Sequence, residues 1–356
     1  MKINYTSVLL AFSLLVSCSV TAQKFEAASF WTLSSQNGYT HGSDQANRCN
    51  RGPLFMEDTQ RWEEQNNFIP RHVFAEKPSQ IRVVSYNVRF WTNPLSEPTR
   101  NEILKVIAHL NADILIMQEF DFDQNIYPHA STEELIKSFR SMGYTYGGLD
   151  TFAPIWHPHY ARYGTVIFSK YPIINKKACP FSPSLVGADR QGYVHTTIEI
   201  GTTQLSVYGT HLAAESTSNP PHKAENIRCA QLQELVTLIE SDHCDNAFIA
   251  ADCNAVRKKD FNYHINNFTA WQLADQDYLG YVGIPRPTAA LDHLATHSFH
   301  DSFDYAGLNA PKVTTWSSIP VDHFFLSPQW KLPLVGAYLF FSSASDHYPI
   351  VMDVKL

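Results

Sequence analysis

The stretch Asn246-Ala247-Phe248-Ile249-Ala250-Ala251-Asp252-Cys253-Asn254 is a short apolar run that stops on an acid and an amide. Its length and composition predict a buried strand over 246–251. Asp252 and Asn254 are two residues apart, so on extended backbone both side chains point to the same side. Cys253 then turns the other way, toward the core, as a small buried hydrophobe. The same design recurs along the chain. Ile81 to Val88 reads as a strand rich in β-branched residues that runs into Asn87, and Asp113 to Met117 runs into Gln118-Glu119. Gln204 to Tyr208 ends in Gly209-Thr210-His211, and Ser345-Asp346-His347 precedes a last strand at Ile350 to Val354. One Asp or Asn after a strand is ordinarily a turn residue or helix cap. Five separate loops carrying acids, amides and imidazoles point instead to chemistry placed on loops by a rigid scaffold. Hard cations take oxygen ligands, and phosphate chemistry needs its charge neutralised. Asp346 and His347 are adjacent and would diverge on extended backbone, so a turn must aim both at one cavity.

Working outward, Tyr163 to Phe168, Tyr193 to Ile200, Pro320 to Phe325 and Gly336 to Phe341 also read as strands, with Gly201 at the turn after the second. Thr99 and Glu102 have the spacing of a capping box. Ile103, Val106, Ile107 and Leu110 then fall on one helical face. Further helices are expected from Thr132 to about Met142 and over 223–241, where Ile227, Leu235, Leu238 and Ile239 supply an apolar stripe. His157 and His159 sit in a Pro/aromatic stretch that reads as a surface loop before Tyr163, or else as a substrate-contacting rim. Many strands with a few interspersed helices predict one layered α/β domain over 80–356. Residues 23–79 are irregular and broken by Gly38, Gly42, Gly52, Pro53, Pro70 and Pro78. They read as an extension packed on that domain. No internal repeat is evident.

The chain has 356 residues and a formal net charge of -7. Such a balance excludes a passive sink for nucleic acid. Residues 1–22 resemble an export signal: Lys2 is followed by an apolar run from Val8 to Val16, too short to span a bilayer. Val20-Thr21-Ala22 suits a general signal peptidase, whereas Leu15-Val16-Ser17-Cys18 resembles a lipobox that would leave a lipidated Cys18. Either way the protein is expected to be exported: secreted, periplasmic or membrane-anchored. Cys18, Cys49, Cys179, Cys229, Cys244 and Cys253 include no C-x-x-C pair, which argues against structural zinc or thioredoxin-type chemistry. Removing Cys18 leaves an odd number and at least one free thiol.

Taken in order, several motifs together resemble the endonuclease/exonuclease/phosphatase superfamily. They are Val84-Ser85-Tyr86-Asn87, Ile116-Met117-Gln118-Glu119, Gly164-Thr165-Val166-Ile167-Phe168-Ser169, Gly209-Thr210-His211-Leu212, Ala251-Asp252-Cys253-Asn254, Val321-Asp322-His323-Phe324-Phe325 and Ser345-Asp346-His347-Tyr348-Pro349. The resemblance implies a four-layer α/β/β/α sandwich, two packed β-sheets flanked by helices, with the site at one end. It implies Glu119 as main metal ligand with Asn87 and Asp346 beside it, and Mg²⁺ or Mn²⁺ as the ion. It implies Asp252 as the group that orients or deprotonates the attacking water, and Asn254 as a holder of a phosphate oxygen. His347 is implied as the phosphate-polarising histidine backed by Asp322, and His211 as the stabiliser of the phosphorane or leaving oxygen. Arg190, in Asp189-Arg190-Gln191-Gly192-Tyr193, matches a phosphate-facing position, though a solvated turn charge explains it equally well.

The chain departs from the pattern at Ala251, where the family usually has Gly. Pro320-Val321-Asp322-His323 lacks the Cys-Asp-Arg of the inositol 5-phosphatases. Thr314-Thr315-Trp316 is similar to bacterial nuclease-like members. No long aromatic hairpin of the sphingomyelinase kind is visible, although Phe340-Phe341 lies near the site. The expected activity is therefore a phosphodiesterase acting on nucleic acid. A lipid or small-molecule phosphoesterase is the alternative. A binding protein on a dead fold would be expected to lose part of the polar set. No protein partner is inferred.

Overall fold

The computed structural model describes residues 69–93, 96–122, 130–157, 160–182, 191–215, 221–242, 244–258, 288–308, 314–315 and 320–356. Among them are two six-stranded sheets. The first contains β1 (Gln80–Asn87), β2 (Ile114–Asp121), β3 (Tyr146–His157), β4 (Tyr160–Ser169), β11 (Leu334–Leu339) and β12 (Ile350–Lys355), in the order β11-β12-β1-β2-β4-β3. The second contains β5 (Ile173–Pro180), β6 (Gly192–Ile200), β7 (Thr203–His211), β8 (Ala247–Asp252), β9 (His300–Asp301) and β10 (Asp322–Leu326), in the order β5-β6-β7-β8-β10-β9. Helices α1 (Arg100–Leu110), α2 (Thr132–Ser141), α3 (Pro221–Ser241), α4 (Ala289–Thr296) and the single turn α5 (Ser302–Tyr305), with a short 3-10 turn at Arg89–Trp91, complete the described elements.

Side-chain alternation builds the layers. Ile81 and Val83 of β1, Ile114 and Ile116 of β2, Leu205 and Val207 of β7, and Phe248 and Ala250 of β8 meet in one core between the sheets. The opposite faces of β1 and β2 pack Val84, Tyr86, Leu115 and Met117 against Ile103, Ile107 and Leu110 of α1 and Leu135 and Phe139 of α2. Ile249 and Ala251 of β8 pack outward on Leu232, Leu235 and Ile239 of α3 and Leu291 and Leu294 of α4. The result is the expected helix–sheet–sheet–helix sandwich. Gly209 sits where the sheets approach each other. A Cβ there would lie 2.9 Å from Ile116 Cγ2 and 3.2 Å from Thr165 Cγ2, so the glycine of the Gly-Thr-His motif is a packing requirement.

Several local expectations differ from the structure. Thr99 stands at the N-terminus of α1 but caps nothing with its side chain; its hydroxyl donates to the Ala344 carbonyl, tying α1 to the loop before His347. The capping box is formed instead by Ser131 and Glu134 at α2. The stretch around His157 is no loop. It belongs to the β3–β4 hairpin, whose strand β3 and neighbour β5 carry too little apolar alternation to be legible. His159 lies outside the described residues, as do 1–68, and so do both signal-cleavage readings, Cys18 and Cys49. Residues 69–79 lie along the end of the sandwich where β1 begins. There Pro70 accepts from Arg82, His72 pairs with Asp113 at 2.6 Å, and Ala75 accepts from the Tyr171 hydroxyl. No described helix is long and apolar enough to cross a membrane.

That end also holds a buried ion pair. Arg82 faces Asp353 across the β1–β12 ladder and binds both its carboxylate oxygens at 2.8 Å, with further bonds to the carbonyls of Leu110 and Pro70. Removing one member of a buried pair strands the other charge. Arg82→Ala is therefore expected to cost about 3–5 kcal/mol of unfolding free energy, read by urea denaturation. Replacing both residues with apolar ones of similar size should cost much less. A loss for Arg82→Ala within the range of an ordinary surface substitution would contradict the argument.

Candidate active site

Strand direction gathers the polar residues. β1 and β2 run parallel, as do β7 and β8, so Asn87, Glu119, His211 and Asp252 all leave at one end of the sandwich. β10 and β12 run the other way, so Asp322 at the start of β10, and Asp346-His347 ahead of β12, come to the same end. Register sharpens this: His211 and Asp322 are the two ladder partners of Asp252. Parity aims the side chains. Counting from inward-facing Val83, Val207, Phe248 and Phe324, residues 87, 211, 252 and 322 all point into the space between the sheets. Cys253 has the opposite parity and is fully buried against the helical layer.

Glu119 breaks the alternation. Ile114 and Ile116 face inward, so residue 119 should face the helices. A bulge between Met117 and Phe120 shifts the phase, with Glu119 itself at φ 49. Bulges re-aim side chains next to sites, and here Phe120 goes to the outer core while the Glu119 carboxylate joins the polar cluster. Asn254 is also left-handed, at φ 46, so it reaches the site from a tight turn and not from the extended backbone expected. Its backbone N–H donates to Asp252 Oδ1 at 3.0 Å.

Asp252 is the centre of the cluster. The Asn87 amide donates to Asp252 Oδ2 at 2.9 Å and to Glu119 Oε1 at 3.1 Å. His211 Nε2 lies 3.4 Å from Asp252 Oδ2, and His347 Nε2 lies 3.6 Å from it. Asn254 Nδ2 is 2.8 Å from His211 Nε2. His347 Nδ1 meets Asp322 Oδ2 at 2.9 Å, which orients the ring and leaves Nε2 facing Asp252. Burial pushes the Asp252 carboxyl up, but His211, His347 and the donated hydrogen bonds outweigh it and hold the group below its ordinary range. Burial pulls the His347 imidazole down, but Asp322, Asp252 and Asp346 raise it well above its ordinary value. Burial raises Glu119, and the neighbouring Asp346 adds to this, against the pull of His211. Asp322 is raised by its burial.

Among the described residues, two sets of ligand atoms each lie within 4.8 Å of one another: Glu119, His211 and Asp252, and Asp252, Asp322 and His347. Carboxylates brought together and buried on an amide bridge fit a hard divalent cation, which would reverse the upward push on Glu119. Of the expected metal set, Asn87 and Glu119 touch, whereas Asp346 stands at the rim, its carboxylate 3.3 Å from Arg89 Nε and outside both compact sets. Arg190 lies outside the described residues. Its neighbour Gln191 is buried and accepts from Gln231 of α3, whose own carbonyl receives the Ala213 N–H two residues after His211.

Two supporting hydroxyls, Thr314 and Ser345, stand in motifs whose sequence gives them no role. Thr314 Oγ1 accepts from the backbone N–H of Val321 and Asp322, and its carbonyl accepts from Tyr348, so it joins the two halves of the His347–Asp322 pair. Ser345 Oγ donates to the Asn87 carbonyl at 2.9 Å. Single hydroxyls in loops carry no periodic signal. Phe340 and Phe341 are core residues, 8% and 0% exposed, and form no apolar projection.

A sandwich with acids, amides and imidazoles at one end is the architecture of the metal-dependent phosphoesterases. The chain belongs to the endonuclease/exonuclease/phosphatase family, whose model matches residues 84–347. It is thus a hydrolase of phosphate esters. Its sequence is 26% identical over 215 residues to sphingomyelinase C of Bacillus cereus, an alignment covering 54% of this chain and 61% of that protein. Sphingomyelinase C of Listeria ivanovii is 22% identical over 323 residues, covering 78% of this chain and 87% of that one. In fold it is similar to the human Nocturnin catalytic domain, solved with a bound sulfate anion, at TM-score 0.55 and 21% identity, covering 78% of this chain and 94% of that domain.

Proposed function

We propose that this protein is a phosphodiesterase of nucleic acid that works with Mg²⁺ or Mn²⁺. The observation that carries the reaction type is a buried Asp252, held ionised, that faces a His347 held protonated, at 3.6 Å. Asp252 takes the proton of the attacking water. His347, oriented by Asp322, binds a phosphoryl oxygen through Nε2, and Asn254 and His211 hold the oxygens on which charge grows. Glu119 and Asn87, with Asp346, would hold the ion, which supplies charge neutralisation at the phosphoryl group. Export through residues 1–22 belongs to the same proposal.

Among the described residues, the substrate reading is supported by where several exposed apolar side chains lie. Phe74, Tyr146, Ile174 and Val335 are among the exposed large apolar residues. All four lie at the end remote from Asp252: Phe74 packs on Tyr171 just past the end of β4, Tyr146 is paired with Ser169 opposite the start of β2, Ile174 adjoins Ile173 opposite Ile198, and Val335 adjoins Leu334 opposite Val354. An enzyme that works on a bilayer needs apolar groups around its site. The likeness to two sphingomyelinases C favours a second reading, a choline phospholipid substrate. Plasmid and sphingomyelin vesicles, each with Mg²⁺ and with EDTA, separate the two. The expected result is EDTA-sensitive nicking of plasmid, modest because a net charge of -7 disfavours tight binding to a polyanion, and weakened further by salt, which screens the phosphate contacts that remain. Release of phosphocholine with plasmid intact would establish the second reading.

A further inference from the structure

The N-terminal half of α3 turns a polar face to the protein. Glu225, Arg228 and Gln231 are three residues apart, so they share one side of the helix, and they are 3%, 1% and 0% exposed. Ile227, expected in the apolar stripe, is only half-buried. Further along, Leu232, Leu235 and Ile239 pack on the second sheet in the ordinary way. A buried ion pair is often no more stabilising than apolar side chains of the same volume, so stability alone does not account for this face. Its hydrogen bonds converge on one residue. Arg228 Nη1 donates to the Ala213 carbonyl at 2.9 Å, and Gln231 Oε1 accepts from the Ala213 N–H at 3.1 Å. Both side chains are themselves fixed. Arg228 donates to Glu225 Oε2 through Nε at 3.0 Å and through Nη2 at 2.7 Å, and Glu225 Oε1 accepts from the Ala290 N–H of α4 at 2.7 Å. Gln231 Nε2 donates to Gln191 Oε1 at 2.7 Å.

We infer that Gln231, seconded by Arg228, is a positioning residue for the reaction: it sets His211 and Asn254 by holding the backbone at Ala213. This rests on the reading of His211 and Asn254 as holders of the phosphoryl oxygens on which charge grows, and deepens it. The link is one peptide unit. The Leu212 carbonyl and the Ala213 N–H belong to the same rigid plane. Gln231 takes the N–H side, and the carbonyl side accepts from Asn254 Nδ2 at 3.1 Å. Turning that plane therefore turns the Asn254 amide. The same Nδ2 lies 2.8 Å from His211 Nε2, so the imidazole follows. Asn254 stands at φ 46, a conformation that asparagine tolerates but does not enforce by itself, so its amide needs such a fixed partner. Arg228 holds the next peptide carbonyl and keeps the unit from swinging away.

Rates on bis(p-nitrophenyl) phosphate at saturating Mg²⁺ test this whichever natural ester the enzyme takes. Gln231→Met keeps the approximate shape of the side chain and removes both hydrogen bonds. It should lower kcat about ten- to a hundredfold with KM nearly unchanged, because the contacts it loosens are those that strengthen in the transition state. Arg228→Lys keeps a charge beside Glu225 but not the fork that also reaches Ala213, so it should act in the same direction; it carries the test if Gln231→Met does not fold. A merely structural role would lower kcat by the same factor whatever stands at position 254. The positioning role predicts that in an Asn254→Ala background either substitution lowers kcat scarcely further. Folded variants with wild-type kcat, a loss confined to KM, or losses that multiply with that of Asn254→Ala would overturn the inference. Wild-type kcat in Asn254→Ala alone would instead remove the reading beneath it, and the inference with it.

Discussion

Glu119→Ala is expected to abolish metal-dependent hydrolysis, by about a thousandfold or more, while the fold survives. The carboxylate reaches the site only through the bulge at Met117–Phe120, and there it is buried near Asp346 and bridged by Asn87 to Asp252. Without a cation these acids repel one another, so the metal-free protein loses little by giving one up. The thermal melt of Glu119→Ala in EDTA should match or exceed that of wild type. The rise in melting temperature that Mg²⁺ gives wild type should be missing, because an ion that binds only the folded state stabilises it by mass action. Initial rates on bis(p-nitrophenyl) phosphate across a Mg²⁺ series, beside melts with and without the ion, measure both. Wild-type turnover by the variant, or an unchanged Mg²⁺-dependent melt, would remove Glu119 from the metal site.

What the sequence could and could not reveal follows from the physics of each element. Parity and strand ends are local, so Asn87, His211, Asp252, Asp322 and the Asp346-His347 pair were readable, and ladder register brought them together. The bulge at Glu119 changes phase by one residue and depends on its neighbour β4, so alternation alone would have sent that carboxylate to the wrong face. The left-handed Asn254 reached the expected side by an unexpected backbone. Thr99 and Glu102 have the spacing of a cap, yet a carbonyl 245 residues away in sequence claims the threonine hydroxyl. Strands β3 and β5 lie at sheet edges, where little apolar alternation is needed, and so escaped detection. The turn at Arg89–Trp91, left-handed at all three residues, has no compositional signature, since none of them is glycine or asparagine.

Asp252 and His347 are expected to act as one unit, which makes their combined loss the sharpest test of the chemistry. Each holds the other's charge: His347 helps keep Asp252 ionised, and Asp252 helps keep His347 protonated, across 3.6 Å. Asp252→Asn and His347→Gln should each lower kcat by about a thousandfold or more, and the double variant should lose scarcely more than the worse single one. The pH profile adds a direction. Asp322, Asp252 and Asp346 together raise the His347 imidazole, so taking away the Asp252 charge lets the proton leave at lower pH. The alkaline limb of residual activity in Asp252→Asn should therefore move to lower pH than in wild type, at fixed Mg²⁺. In His347→Gln, Asp252 loses a cation that lowered it, so the acid limb should move to higher pH. Losses that simply multiply in the double variant, with both limbs unmoved in the singles, would mean that the two residues serve separate steps and that the carboxylate–imidazole pair does not share a proton-transfer task.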